Sequence, residues 1–148
     1  MGDVIFDVDG TLMNIQHRRH HVEKVPGKKK NFAAFMADTH MDTPNHDVFD
    51  IAKMLRAAGN RIIISSGRYD TQRDITIQQL QDAGLMFDAI YLRKEKDNRS
   101  DDKVKSDMLD QMIADGFNPT MAFDDRQQVV DMWRGRGLRC FQVAPGDF

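Results

Sequence analysis

The chain has 148 residues, of which 30% are charged and 41% hydrophobic, and its formal net charge is −2. This length suits one domain with its own core, and the charge excludes a protein that binds polyanions through a general basic field. The single cysteine, Cys140, excludes an internal disulfide and favours a reducing cytoplasm. Membrane-length apolar runs and a signal peptide are absent from the sequence. We therefore expect one cytoplasmic domain spanning residues 1–148.

Short apolar segments that predict buried strands alternate with segments that predict helices. The strand segments are residues 4–6, 61–65, 89–92, 120–123 and 138–143. The helical segments are residues 46–58, 70–83, 102–114 and 125–134, and each ends at or near a glycine. Apolar strands that alternate with helices indicate a parallel sheet covered on both faces. The predicted fold is therefore α/β, a Rossmann-like three-layer sandwich with helices on both faces.

The segment from about residue 13 to residue 44 does not fit this alternation. It is rich in His, Lys and Arg, and Phe32, Phe35 and Met36 have helical spacing. Long insertions near a site are usually functional lids. We expect a small cap inserted after the first strand, over the mouth of the site. The lysines at residues 28–30 fit either a solvated loop or a contact with backbone phosphates.

Polar side chains follow the carboxyl ends of the predicted strands. Right-handed crossovers bring those ends to one edge of the sheet, where ligands bind in such folds. The clusters are Asp7 with Asp9, Ser66 with Gly67 and Arg68, and Asp124 with Asp125, and Lys105 follows the third strand. Each cluster alone could be an ordinary turn or a helix N-cap. Their convergence indicates a functional site.

The paired carboxylates predict a magnesium site. Neighbouring carboxylates repel one another, and a cation with a preference for oxygen ligands relieves that repulsion. Asp7, Asp9, Asp124 and Asp125 are the candidate Mg²⁺ ligands, and the sequence does not decide which of Asp124 and Asp125 binds directly. A carboxylate such as Asp7 can attack phosphorus and form an aspartyl-phosphate. Asp9 could protonate the leaving oxygen and later deprotonate the attacking water.

Phosphoryl transfer also needs groups that hold the phosphoryl oxygens in the transition state. Ser66 and Lys105 suit this role, although spacing alone does not distinguish Lys105 from Lys103. The backbone N–H groups of Gly10 and Thr11 could add a small anion nest.

Residues 4–12, VIFDVDGTL, resemble the first motif of the haloacid-dehalogenase-like phosphohydrolases. Ser66 matches the second motif of these enzymes, Lys105 the third, and Asp124 with Asp125 the fourth. The order and spacing agree across most of the chain. The resemblance implies a Mg²⁺-dependent phosphatase with Asp7 as nucleophile and favours Lys105 over Lys103.

Within that superfamily the chain is similar to the 3'-phosphatase domain of phage polynucleotide kinase/phosphatases. The similarity is carried by residues 122–148, 66–68 and 99–105. It implies that Arg18 and Arg68 assist catalysis, that Gly67 and Asp101 contact the substrate, and that Arg18 is chosen over the adjacent Arg19.

This resemblance implies 3'-phosphate ends of DNA or RNA as substrate and, for a phage protein, a location in the host cytoplasm. A separate kinase or ligase could cooperate with the protein. The kinase loop G-x-x-x-x-G-K-[ST] does not occur in these 148 residues, so we expect phosphatase activity only.

Other functions remain open at the level of sequence. The superfamily motifs fit a nucleotide or small-metabolite phosphatase equally well, because they define the reaction and not the leaving group. A phospho-accepting signalling domain without turnover is a remote alternative, as is an inactive binding module. His17 and His21 have the spacing of two zinc ligands on one helix face, but we favour contacts of the histidines with substrate phosphates.

Overall fold

The computed structural model describes residues 1–146. Asp147 and Phe148, the last residues of the C-terminal segment that carries the resemblance, lie outside the described residues. The strands are β1 (Asp3–Phe6), β2 (Met13–Asn14), β3 (Thr43–Pro44), β4 (Arg61–Tyr69), β5 (Ala89–Arg93), β6 (Pro119–Asp124) and β7 (Arg139–Gln142). Five of them form a parallel sheet in the order β5-β4-β1-β6-β7, and β2 pairs with β3 in a separate antiparallel ribbon.

Helices cover both faces of the parallel sheet. They are α1 (Gln16–Arg19), α2 (Phe32–Ala37), α3 (His46–Ala57), α4 (Arg73–Asp82), α5 (Asp101–Ala114) and α6 (Gln127–Gly135), with 3-10 turns at Thr39–Met41 and Asp70–Gln72. Among residues 1–146, no helix has the length and apolar character that crossing a membrane requires.

The alternation of side chains along the strands builds two cores. Val4 and Phe6 of β1 pack in the core that includes Phe49 of α3, whereas Ile5 points to the other face and packs in the core that includes Trp133 of α6. Successive residues of a strand face opposite sides of a sheet, so a fully apolar strand requires a cover on each side. The predicted three-layer α/β sandwich is confirmed.

Strand β4 is longer than the sequence indicates. It continues beyond Ser65 through Tyr69, and its pairing with β5 shifts register between Ser66 and Tyr69. Ser66 therefore lies in a strand, and the alternative of Ser66 as a helix N-cap is wrong. Pairing with β5 overrides the turn preference of the Ser-Gly pair. Helix α6 begins at Gln127, two residues later than predicted, because Asp124 still belongs to β6.

Residues 13–44, here called the cap segment, leave and rejoin the rest of the chain at one place. Met13 pairs with Pro44 and Asn14 with Thr43, so the ribbon of β2 and β3 closes the base of the segment. Ile15, Val22 and Phe35 form a small core of its own, with Met36 packed against it. This arrangement holds α1 and α2 beside the carboxyl end of β1.

Candidate active site

Three carboxylates and one ammonium group meet at the carboxyl edge of the sheet. Asp7 follows β1, and its backbone N–H donates to the carbonyl of Phe123 at 3.0 Å, which places it beside Asp124 at the end of β6. Carboxylate oxygens of Asp7, Asp124 and Asp125 all lie within 4.8 Å of one another. Lys105 Nζ donates to Asp7 Oδ1 at 2.8 Å and to Asp124 Oδ2 at 3.0 Å. The predicted convergence of these four residues is present.

The electrostatics of this cluster favour a bound cation. Burial raises the pKa of Asp7 well above its usual range, and Asp124 adds to this effect while Lys105 opposes it. Burial and the charge of Asp124 raise the pKa of Asp125 to about 7. Burial acts to lower the pKa of Lys105, but Asp124 and Asp7 raise it above its usual range. One ammonium cannot balance three carboxylates, so a divalent ion with oxygen ligands fits.

Nearby side chains fix the orientation of these carboxylates. The Thr11 hydroxyl donates to Asp7 Oδ2 at 3.0 Å, and Trp133 Nε1 donates to Asp124 Oδ2 at 3.2 Å. Trp133 is fully buried, so it packs α6 onto the sheet and also orients a site residue. Among residues 1–146, Asp7, Asp124 and Asp125 form the one group of three or more side chains with metal-ligand spacing.

Gly10 has a steric role rather than the one predicted from its N–H group. Its φ is +79°, and a Cβ at this position would overlap the Asp125 carboxylate. The Gly10 N–H donates to Met13 O at 2.8 Å, and the Thr11 N–H donates to Val8 O at 3.2 Å. The predicted anion nest is wrong, because both N–H groups close the turn after β1.

Asp9, also a candidate Mg²⁺ ligand in the sequence, lies in the loop between β1 and β2 and is not part of the group of three carboxylates with metal-ligand spacing. Its Oδ1 accepts hydrogen bonds from Arg18 Nη2 at 2.7 Å and from Arg68 Nε at 2.9 Å. Burial acts to raise the pKa of Asp9, but Arg68 and Arg18 together hold it below its usual range. The structure thus separates Asp9 from Asp7 and pairs its carboxylate with two arginines.

Asp42 is a member of this site that sequence reasoning missed. Its carboxylate accepts from Arg18 Nε at 2.8 Å, Arg18 Nη2 at 2.6 Å and Arg68 Nη2 at 2.9 Å, and it contacts His17 Nε2 at 2.7 Å. Asp42 lies just before β3, outside every motif. The sequence carries no signal for Asp42, and the structure explains its presence, because two buried arginines need more negative charge than Asp9 supplies.

A cavity of about 480 Å³ opens onto these groups. Asp7, Asp9, Lys105, Asp124 and Asp125 line it, together with residues of the cap segment and of the 93–101 stretch. Arg18, Arg68 and Ser66 are fully buried and do not line the cavity. The two arginines therefore contact Asp9 from behind, and the Ser66 hydroxyl accepts from the Arg68 N–H at 3.1 Å.

Asp101 and Gly67 meet on another side of the cavity. Asp101 accepts a short hydrogen bond from Arg93 and lies 3.3 Å from Arg126. A Cβ at Gly67 would overlap the Asp101 carboxylate, so glycine permits this approach. Arg93 also donates to the carbonyls of Gly67, Asp97 and Arg99. Arg93 was not predicted, although its place at the carboxyl end of β5 was a signal.

The fold and site define a haloacid-dehalogenase-like phosphatase. The family model for the phosphatase domain of polynucleotide kinase PNKP matches residues 2–148. The chain belongs to that family of phosphatase domains.

Solved structures agree with this assignment. A chain of the Pnkp1/Rnl/Hen1 RNA repair complex is 32% identical, with a TM-score of 0.82, over 99% of this chain and 43% of that chain. A second structure of the Pnkp1/Rnl/Hen1 complex gives 33% identity and a TM-score of 0.81, over 99% and 47%. This chain thus spans less than half the length of those relatives. A haloacid-dehalogenase-like hydrolase from Streptococcus pneumoniae shares the fold at 11% identity, with a TM-score of 0.65 over 96% and 84%.

Proposed function

We propose that this chain is a Mg²⁺-dependent phosphatase that removes 3'-phosphates from nucleic-acid ends through an aspartyl-phosphate on Asp7. The observation that carries the proposal is the position of Asp7 on the cavity wall, between Lys105 and two further carboxylates. An acidic centre of this kind repels a phosphate unless cations offset its charge. Asp7, Asp124 and Asp125 would hold the Mg²⁺ ion, which supplies that charge when bound.

In the first step, an oxygen of Asp7 attacks phosphorus, and the bond from phosphorus to the leaving oxygen breaks. Lys105, which donates to the other Asp7 oxygen, keeps the nucleophile oriented and adds positive charge for the phosphoryl oxygens. In the second step, water attacks the phosphorus of the aspartyl-phosphate, and inorganic phosphate leaves while Asp7 is restored.

Asp9 would move the protons in both steps. It donates a proton to the leaving 3'-oxygen and then accepts one from the attacking water. Arg18 and Arg68 hold its carboxylate toward the cavity and favour its ionised form. A phosphate dianion beside Asp9 acts in the opposite direction and raises the pKa of the carboxyl group. Substrate binding would thereby promote the protonation that the first step needs.

The family and the relatives support a nucleic-acid end as the substrate, and the resemblance of the motifs supports a 3'-phosphate at that end. Relatives at 32–33% identity belong to the Pnkp1/Rnl/Hen1 RNA repair complex. We extend to this chain a nucleic-acid end, DNA or RNA, as substrate and a separate kinase or ligase as partner. The core motifs fit a small-metabolite phosphatase too, and the experiment below distinguishes the two.

The test is phosphate release with Mg²⁺ from a 3'-phosphorylated oligonucleotide, its 5'-phosphorylated twin and a 3'-mononucleotide. We expect a strong preference for the 3'-phosphorylated oligonucleotide. Asp7→Asn, checked for folding by circular dichroism, should release no phosphate from any of them. Equal or faster release from the mononucleotide would move the function to small-molecule hydrolysis. Turnover by Asp7→Asn would remove the aspartyl-phosphate mechanism.

A further inference from the structure

We propose that Phe32 forms a stacking surface for the base of the substrate's 3'-terminal nucleotide. The inference rests on the proposed function, because it requires a nucleic-acid end as substrate. Phe32 begins α2 of the cap segment and lines the same cavity as Asp7 and Asp9. No step of the proposed phosphate chemistry uses this aromatic ring, so the ring is available to contact another part of the substrate.

The exposure of Phe32 differs from that of its neighbours in α2. Phe32 is 42% exposed, whereas Phe35, one turn later, is 6% exposed and packs in the core of the cap segment. Phe35, with Met36 packed beside it, therefore attaches α2 to the core of the cap segment, and Phe32 is not part of that core. A single exposed ring is common on protein surfaces, but this ring lies on the wall of the cavity that holds Asp7 and Asp9, where a ligand can contact it.

The backbone around Phe32 is held in place. Asn31 caps α2, because its Oδ1 accepts from the Ala34 N–H at 3.0 Å. The Asn31 N–H in turn donates to the carbonyl of His21 at 2.7 Å. Arg18 links α2 to the site, since it donates to the Phe35 carbonyl at 3.1 Å and to Asp9 Oδ1 at 2.7 Å, and its guanidinium lies 4.2 Å from the centre of the Phe35 ring. A ring on such a support is preorganised for stacking.

The cavity lining includes two unlike groups of residues. One is apolar and aromatic and consists of Phe32, Phe35, Met36 and Tyr69. The other is polar and belongs to the 93–101 stretch, with Arg93, Asp97, Asn98 and Arg99. The side chain of Arg99 contacts Asp97 at 2.8 Å and Asp107 at 2.7 Å, so these carboxylates already offset its charge. A further phosphate would therefore gain little from Arg99, whereas a base would gain contact with the aromatic residues. The volume of about 480 Å³ is in the range of sites for small ligands and suits a terminal nucleotide.

The test compares two 3'-phosphorylated oligonucleotides of one sequence and length, which differ only in the presence of the terminal base. For the unmodified chain, kcat/KM should be higher with the base than with the abasic end. Stacking of one base on an aromatic ring changes affinity by roughly tenfold or more, so Phe32→Ala should bring the ratio of the two kcat/KM values close to one, mainly through KM. Phe32→Tyr keeps the ring and should keep the ratio.

Met41→Ala is the matched control. Met41 is also in the cap segment and is 60% exposed, but it does not line the cavity. The control should leave the ratio unchanged. Equal losses by Phe32→Ala on both substrates would show a merely structural role and overturn the proposal, as would a ratio of one for the unmodified chain. Failure of the unmodified chain to release any 3'-phosphate would instead overturn the proposed function. Stacking of a terminal base on Phe32 would then lose its basis as well.

Discussion

Asp42 accepts hydrogen bonds from both Nε and Nη2 of Arg18, at 2.8 and 2.6 Å, with no solvent exposure of either side chain. This two-point contact fixes the guanidinium plane, and the plane directs Nη2 toward Asp9 at 2.7 Å. The cap segment, through Asp42, therefore positions a residue of the loop that follows β1. Asp42 does not line the cavity and acts through the arginines.

Asp42→Asn should lower kcat far more than it changes KM. The amide removes the charge that balances Arg18 and Arg68, and the loss of one partner from a buried ion pair costs about 3–5 kcal/mol. Displacement of Asp9 by as little as about 1 Å can cost about 100-fold in rate. Steady-state kinetics well below the unfolding temperature would separate this effect from loss of fold.

The matched control for this variant is Asp38→Asn. Asp38 also belongs to the cap segment, but its side chain is 44% exposed and 3.9 Å from His21. Exposed pairs contribute about 0–1 kcal/mol, so the control should keep both activity and stability. Similar kinetic losses in the two variants would contradict a specific role of Asp42.

Lys105→Met should abolish most of the activity, whereas Lys103→Met should leave it unchanged. Lys105 is 1% exposed and contacts Asp7 and Asp124, while Lys103 is exposed on the same helix. Removing a preorganised donor from a phosphoryl-transfer site typically costs about 10²–10³ in kcat. The apolar side chain also leaves the carboxylates without their ammonium partner, so we expect a lower unfolding temperature that added Mg²⁺ partly restores.

Kinetics and thermal unfolding with and without Mg²⁺ check both parts of this prediction. Equal effects of the two lysine variants would contradict the assignment of Lys105, which rests on the resemblance, as the catalytic lysine. Loss of activity without loss of stability would mean that the contacts with Asp7 and Asp124 contribute little to folding.

The sequence predicts the carboxylates at the centre of the site better than the residues that position them. Asp7 and Asp124 follow apolar strands, and parallel strands leave no other edge for their carboxylates. Asp42 lies beyond the helical spacing of the cap segment, and its contacts with Arg18 and Arg68 span 24 and 26 residues. No local pattern encodes such a pairing. The nest predicted at Gly10 was wrong because a turn sequence does not show which carbonyl receives its N–H groups.

Asp3 gives the fold a pH dependence that is independent of catalysis. Its carboxylate accepts from Arg61 at 2.7 and 2.8 Å and from the Asn118 N–H at 2.6 Å. Burial acts to raise the pKa of Asp3, but the bonds from Arg61 and Asn118 bring it below its usual range. A pKa lowered by folding means that the ionised group stabilises the native state. That stabilisation is complete above the unfolded pKa of about 3.9 and is lost as the pH falls through the lowered value.

Asp3→Asn should therefore lower the unfolding temperature at pH 7, and the difference from the unmodified chain should shrink below about pH 4. Thermal unfolding followed by circular dichroism across this range measures the difference. Asp50→Asn, at an exposed position of α3, is the control and should differ little from the unmodified chain at any pH. A difference that stays constant down to pH 3 would exclude the ionisation of Asp3 as its cause.

The dependence on the leaving group tests whether Asp9 is the general acid. Asn can still accept hydrogen bonds from Arg18 and Arg68 but cannot donate a carboxyl proton, so Asp9→Asn removes the chemistry and keeps most of the geometry. With an alkyl ester such as a nucleoside 3'-phosphate, kcat/KM should fall by about 10²–10⁴, since the leaving oxygen needs the proton. With an aryl phosphate whose leaving group is stable as an anion, the loss should be much smaller.

Because kcat/KM covers only the steps through formation of the aspartyl-phosphate, the comparison isolates the acid role from the later base role. Equal losses with both esters would assign Asp9 to positioning alone.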